Sequence, residues 1–160
     1  AQADRHRVMA AMSLESEVAV FVAGVLNYFG NTVQQAALCG TPHLALSEAP
    51  EISDYTGIIR ISGKRTGLVA FTAPKSMLSV MLMRMQETDM SHENLCDLVG
   101  EIANTLSGNA RRDFGQQFQI SVPAVISGRG TALEYPPTGR PIVIPIEWRN
   151  YHARLIVCLQ

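Results

Sequence analysis

Hydrophobic residues recur along this 160-residue chain in two different periods, and each change of period marks an element. Leu14, Val18, Phe21, Val22, Val25 and Phe29 stand at helical spacing. Ser13 suits the N-cap of that helix, Glu15 and Glu17 favour its first turn, and Gly30 makes a natural stop. Short strands are expected near Thr32–Leu38 and His43–Leu46, parted by Gly40-Thr41-Pro42, with a polar loop over Glu48–Tyr55. A hairpin follows, its β-branched and apolar arms Gly57–Ser62 and Gly67–Thr72 joined through Gly63-Lys64-Arg65-Thr66. Pro74 fits the first position of a second helix, running through Met77, Leu78, Met81, Leu82 and Met85. Methionines also make adaptable binding surfaces, but the spacing here matches one buried face, so the stripe reads as core.

Ser91 caps a third helix, about twenty residues long, that ends near Phe114 with Gly115 beyond it. Strand-like runs then fall at Gln119–Ser127, Thr131–Tyr135, Ile142–Glu147 and Ala153–Leu159, with Arg149-Asn150 as the turn of a terminal hairpin. Helix, strands, helix, helix, strands is the order of an α+β domain, with a mostly antiparallel sheet and two to three long helices packed on it. No repeat or linker divides the chain. Residues 1–12 read as an N-terminal extension, trimmed at its start since no initial Met is present, and 13–160 as a single domain.

Composition narrows the function classes. With 47% hydrophobic and 17% charged residues, the chain is neither disordered nor a membrane span. Its longest apolar run, Val18–Leu26, is far short of the roughly 20 residues that cross a bilayer. A net charge of −1 gives no basic face for nucleic acid. Cys39, Cys96 and Cys158 are odd in number and widely spaced, which points away from disulfides or a zinc site and towards the cytoplasm. His6, His43, His92 and His152 lack metal-binding spacing, and no nucleophile-elbow, phosphate-loop or dinucleotide-binding motif occurs. Cys96 has no neighbour that would activate a thiolate. Gly128-Arg129-Gly130 reads as a turn, and Lys64-Arg65 as a solvated hairpin tip that an acidic partner could also touch.

The third helix has two stripes. Leu95, Val99, Ile102 and Leu106 form a core face, while Asp97, Glu101, Asn104 and Gly108 recur at i, i+4, i+7 and i+11 on the other side. Any exposed helix face is polar, and that reading stays open. However, Asn and Gly each cost about 0.5–1 kcal/mol in mid-helix relative to Ala, and Gly108 opens the stripe to close approach. Asn109 falls nearer the core edge, where its carboxamide belongs to the scaffold. A carboxylate and a carboxamide without nucleophile or metal make a poor self-contained site. They can complete one whose electrophile and metal lie on a partner, such as the aspartyl phosphate and Mg²⁺ of a receiver domain, by orienting water.

The run from Asp97 to Ala110, with Glu101, Asn104 and Gly108-Asn109-Ala110, resembles the signature helix of the CheC/CheX family of response-regulator phosphatases, and its CheX branch most. Ile120–Gly128 with Pro123 resembles the strand after that helix. Gly57–Gly63 with Gly67–Phe71 resembles the family's hairpin, and Ile142–Pro145 with Arg154–Leu159 its ending. The similarity spans about 54–159, and the first fifty residues only in outline. It implies that Glu101 docks a phosphorylated CheY-like receiver and Asn104 orients water, while Asp97 and Gly108 shape the partner-binding face and Pro123 moulds the neighbouring strand. It also implies a homodimer formed partly through strands, no cofactor or metal of the chain's own, and Mg²⁺ in the partner. CheC-branch chains commonly carry two such helices. The first helix here has no Glu-x-x-Asn, so one site is expected. Two further readings stand beside this one: a non-catalytic dimeric module that docks a receiver or flagellar protein, and an unrelated enzyme.

Overall fold

The computed structural model describes residues 2–45, 50–129, 133–134 and 139–160, giving the backbone course alone for 2–13. In chain order the described elements are α1 (Gln2–Tyr28), a π-helical turn (Phe29–Val33), β1 (Leu38–Cys39), β2 (His43–Leu44), β3 (Tyr55–Gly63) and β4 (Gly67–Ala73). Then come α2 (Lys75–Arg84), α3 (His92–Phe114), β5 (Phe118–Ile120), β6 (Ala124–Ser127), β7 (Ile142–Trp148) and β8 (Tyr151–Leu159).

The strands form one antiparallel sheet in the order β1-β7-β8-β4-β3-β5, with β2 also on β7 and β6 also on β3. Alternation along each strand sends residues to opposite faces. Ile59, Val69, Phe71, Ile144, Trp148 and Leu155 pack under the helices with Phe21, Val25, Met77, Met81, Leu95 and Ile102. On the reverse face Ile58, Leu68, Ala70, Ile156 and Cys158 are covered by Ile52 and Leu133. Both faces are therefore buried, which explains why β4 is buried along its whole length.

The α+β architecture, the hairpin and the methionine stripe as core agree with the sequence expectation. The strand expected over Thr131–Tyr135 lies largely outside the described residues. Several local expectations are corrected. Ser13 does not cap α1, which begins at Gln2. Nor does Gly30 stop it. The helix widens into the π turn, and Gln34 ends that turn in a left-handed conformation with its N–H on the Phe29 carbonyl. Arg84 of α2 donates to the Val33 and Gln34 carbonyls, satisfying acceptors that the helix end leaves open. Of the strand expected at Thr32–Leu38 only Leu38 lies in a strand, with Thr32 and Val33 in this turn and residues 34–37 in the bend and connection after it. The last strand, β8, is interior to the sheet, between β7 and β4.

Gln119–Ser127 is two strands and not one. Ile120 pairs with Ile61 and Ala124 with Ile58, so three residues, 121–123, stand opposite two, 59–60. This extra residue is a bulge at the sheet edge. Pro123 has no N–H for the ladder, and Ser121 is held instead by bonds with both the N–H and the carbonyl of Arg60. The bulge leaves Val122 at 84% exposure and brings Pro123 to the flank of α3.

Candidate functional site

Helix α3 is specified locally at both ends. Ser91 Oγ accepts the Asn94 N–H at 3.2 Å, Glu93 lies in the first turn and Arg111 and Arg112 in the last, each complementing the helix dipole. Leu95, Val99, Ile102 and Leu106 are buried, as their stripe requires. The helix lies over β3 and β4 and beside β5 and β6. Two glycines set that distance. A Cβ on Gly57 of β3 would sit 2.2 Å from the Val99 carbonyl oxygen, and one on Gly100 would meet Pro123 and Val125 at 3.3 Å each. The backbone of α3 is thus clamped between the sheet and the bulged edge, which fixes where its outer stripe points.

On that outer stripe Asp97, Glu101 and Asn104 are all exposed, and Gly108 is half-buried with nothing within 4 Å of the place a Cβ would take. Neither the Glu101 carboxylate nor the Asn104 carboxamide makes a hydrogen bond or ion pair within the described residues. The two stand one turn apart on the same helix. Asn109 is half-buried at the core edge.

One neighbour was not legible in the sequence. Tyr28, at the end of α1, is 4% exposed, and its phenol is pushed well above the usual range, first by burial and then by the Glu101 carboxylate. It is therefore a protonated hydroxyl beside Glu101 at any physiological pH. Helix α1 reaches this point by running antiparallel to α3, with Phe21 against Phe114, Gly24 against Leu106 and Tyr28 near Glu101. Only this pairing, a tertiary fact, connects residue 28 with residue 101.

The other candidates have structural employment. Arg65 forms an ion pair with Glu17 of α1 and donates to the Gln160 carbonyl, so half of the basic hairpin tip is engaged within the chain. Arg129 binds Asp54, whose other oxygen accepts the Lys75 N–H and so caps α2. His92 joins the Tyr55 hydroxyl at 2.9 Å. Burial, and then Asp97 and Glu93, push the Cys96 thiol up, which keeps it protonated and unreactive. Among the described residues no three His, Cys, Asp or Glu side chains gather as a metal site, and no helix is long and apolar enough to cross a membrane.

A long helix with an exposed Glu–Asn pair lies across an antiparallel sheet, and similarity to known proteins gives the class of protein that has this fold. Residues 55–147 match the sequence model of the family described as "Chemotaxis phosphatase CheX", and the chain belongs to that family. The fold is similar to the crystal structure of the chemotaxis protein CheX from Vibrio vulnificus (TM-score 0.78, 23% identity, covering 91% of this chain and 99% of that one). It is also similar to a putative chemotaxis protein from Desulfovibrio vulgaris Hildenborough (TM-score 0.80, 24% identity, 91% and 97% covered). A third similar structure, at TM-score 0.71 and 15% identity over 89% of this chain and 97% of that one, is a chain of the CheX–CheY–BeF3–Mg²⁺ complex from Borrelia burgdorferi. No curated protein sequence matches the chain.

Proposed function

We propose that this protein dephosphorylates a CheY-like response regulator, using Asn104 and Glu101 to complete an active site whose phosphoryl group and Mg²⁺ belong to the receiver. The observation that carries this reading is the exposed Glu101–Asn104 pair on the clamped outer face of α3, without a hydrogen-bond or ion-pair partner among the described residues. The CheY-containing complex of the Borrelia relative supports the choice of partner.

In the proposed reaction water attacks phosphorus, the bond between phosphorus and the aspartyl oxygen breaks, and aspartate and inorganic phosphate leave. The Asn104 carboxamide offers both a donor and an acceptor, and so can hold a water in line without being consumed. Glu101 pairs with a basic side chain of the receiver and fixes the register. Tyr28, a buried neutral phenol beside it, offers no competing positive charge. Asp97 borders the pair, and Gly108 lets the receiver's backbone approach α3. The mechanism needs no metal or cofactor bound by this chain. Association as a homodimer belongs to the same reading. Leu38 and Leu44, exposed at 68% and 41% on the β1 and β2 edge, are apolar surface available to it. So does a place in the cytoplasm, where a receiver would be met.

The test is the lifetime of receiver phosphate with wild type, Glu101→Ala and Asn104→Ala, across the receivers of the source organism. The expected result is acceleration by wild type that both variants lose. Unchanged lifetimes with every receiver would remove the catalytic reading, and receiver binding without hydrolysis would favour the docking module.

A further inference from the structure

The outer stripe of α3 does not stop at Gly108. One turn on, Arg111 and Arg112 are exposed, and the two guanidiniums make no hydrogen bond or ion pair among the described residues, where Arg65, Arg129 and Arg154 each hold a carboxylate. They border a groove of about 460 Å³ lined by Gly108, Arg111, Arg112, Gly115, Gln116 and Ile120. A Cβ on Gly108 or on Gly115 would meet nothing within 4 Å, so the arginines stand between two bare stretches of backbone. Side chains on a helix lean towards its N-terminus, over the residue four positions earlier. For Arg112 that residue is Gly108, and no side chain blocks the way towards Asn104.

The stripe therefore carries Glu93, Asp97 and Glu101 at one end and Arg111 and Arg112 at the other. Fifteen residues from Asp97 to Arg112 span roughly 22 Å of helix. A complement to the helix dipole accounts for basic residues in a last turn. It does not account for two unpaired guanidiniums on a bare groove that continues the Glu–Asn stripe.

Resting on the function proposed above, we infer that Arg111 and Arg112 are the receiver-recruiting end of the docking surface. There they engage acidic side chains beside the receiver's phospho-aspartate. A Mg²⁺-dependent phosphoryl site is rich in carboxylates, because Mg²⁺ is held by carboxylate and phosphate oxygens. A face presenting Glu93, Asp97 and Glu101 alone would be repelled by it. The two arginines reverse that field at one end. The stripe then has polarity, so the partner docks in one direction, with Asn104 over the phosphoryl group. Charges of this kind act on encounter rate and orientation more than on the chemical step.

The experiment is steady-state dephosphorylation of a receiver charged by a small acyl phosphate, at low and high salt, with melting temperature measured alongside. The variants are Arg111→Glu/Arg112→Glu, the neutral pair Arg111→Gln/Arg112→Gln, and Arg111→Lys/Arg112→Lys. The inference expects the charge-reversed pair to raise KM roughly tenfold or more, to invert the salt dependence as screening relieves repulsion, and to leave kcat and the melting temperature near wild type. The neutral pair falls between, and the lysine pair recovers most of the loss. Unchanged KM and salt dependence, with Asn104→Ala inactive, overturn the inference and leave the function standing. Wild type inactive on every receiver overturns the function and the inference with it.

Discussion

Two glutamates stand on the helices that pack side by side over the sheet. Glu17 of α1 is buried at 9% exposure and gives both carboxylate oxygens to Arg65, tying α1 to the β3–β4 hairpin. Glu101 of α3 is exposed, and its carboxylate accepts no hydrogen bond and joins no ion pair among the described residues. The residue type is the same, and both sit on long helices. A buried carboxylate must have a partner, because desolvating its charge is costly. An exposed one is kept in water at no such cost and can trade hydration for a partner protein. In this molecule burial, more than residue identity, separates the scaffold glutamate from the candidate site glutamate.

That contrast can be broken in several places. Ile102 and Glu101 are neighbours on α3 with opposite exposure. Ile102→Ala should destabilise by about 2–5 kcal/mol, read from urea unfolding, because it opens a cavity against the sheet. Asn104→Ala should leave unfolding within about 0.5 kcal/mol of wild type. It should slow dephosphorylation about 100-fold or more, the loss typical of removing one positioned hydrogen-bonding group. An equal loss of stability and activity in Asn104→Ala would mean that its carboxamide is scaffold.

A glutamine exchange at each glutamate sharpens the comparison. Glu17→Gln should cost about 1–2 kcal/mol, since Arg65 loses its charge partner at a part-buried site, with dephosphorylation unchanged below the melting range. Glu101→Gln should do the reverse, leaving stability intact while raising KM. Identical profiles for the two variants would dissolve the distinction.

The smallest expected effect is acid sensitivity. Arg129, followed by the Lys75 N–H, holds the Asp54 carboxyl below the usual carboxylate range. A depressed pKa in the folded state contributes stability above the unfolded value, near pH 4, that is lost as pH falls through the folded value. Asp54 is half-buried but its partner Arg129 is largely exposed, so the change is modest. Melting temperature followed from pH 6 to pH 2 should fall slightly less steeply in Asp54→Asn than in wild type.

Much of the site was legible because helix signals are local. The 3.6 period, the Ser91 cap and the Gly115 stop lie within one segment, and they place α3 and its two stripes correctly. The Asp97, Glu101, Asn104 and Gly108 stripe followed from the same period. The start of α1 was not legible, because Ser13 satisfies the local rule for a cap while the helix simply continues through it. The break at 121–123 was also hidden. Gln119–Ser127 has strand composition throughout, and the bulge exists only in register against β3.

By itself, then, the sequence determined the helices α2 and α3, the hairpin, the α+β class and the Glu–Asn pair, since each depends on residues within a few turns or one tight connection. Tertiary structure alone decided the strand order and the engagement of Arg65 by Glu17, 48 residues away. It also decided the approach of Tyr28 to Glu101, the seat of Pro123 against Gly100 and the bare groove that Arg111 and Arg112 border. The reason is physical: periodicity and capping are written in neighbouring residues. Which surfaces meet, and which polar groups are left in water, is set by packing among segments far apart in the chain.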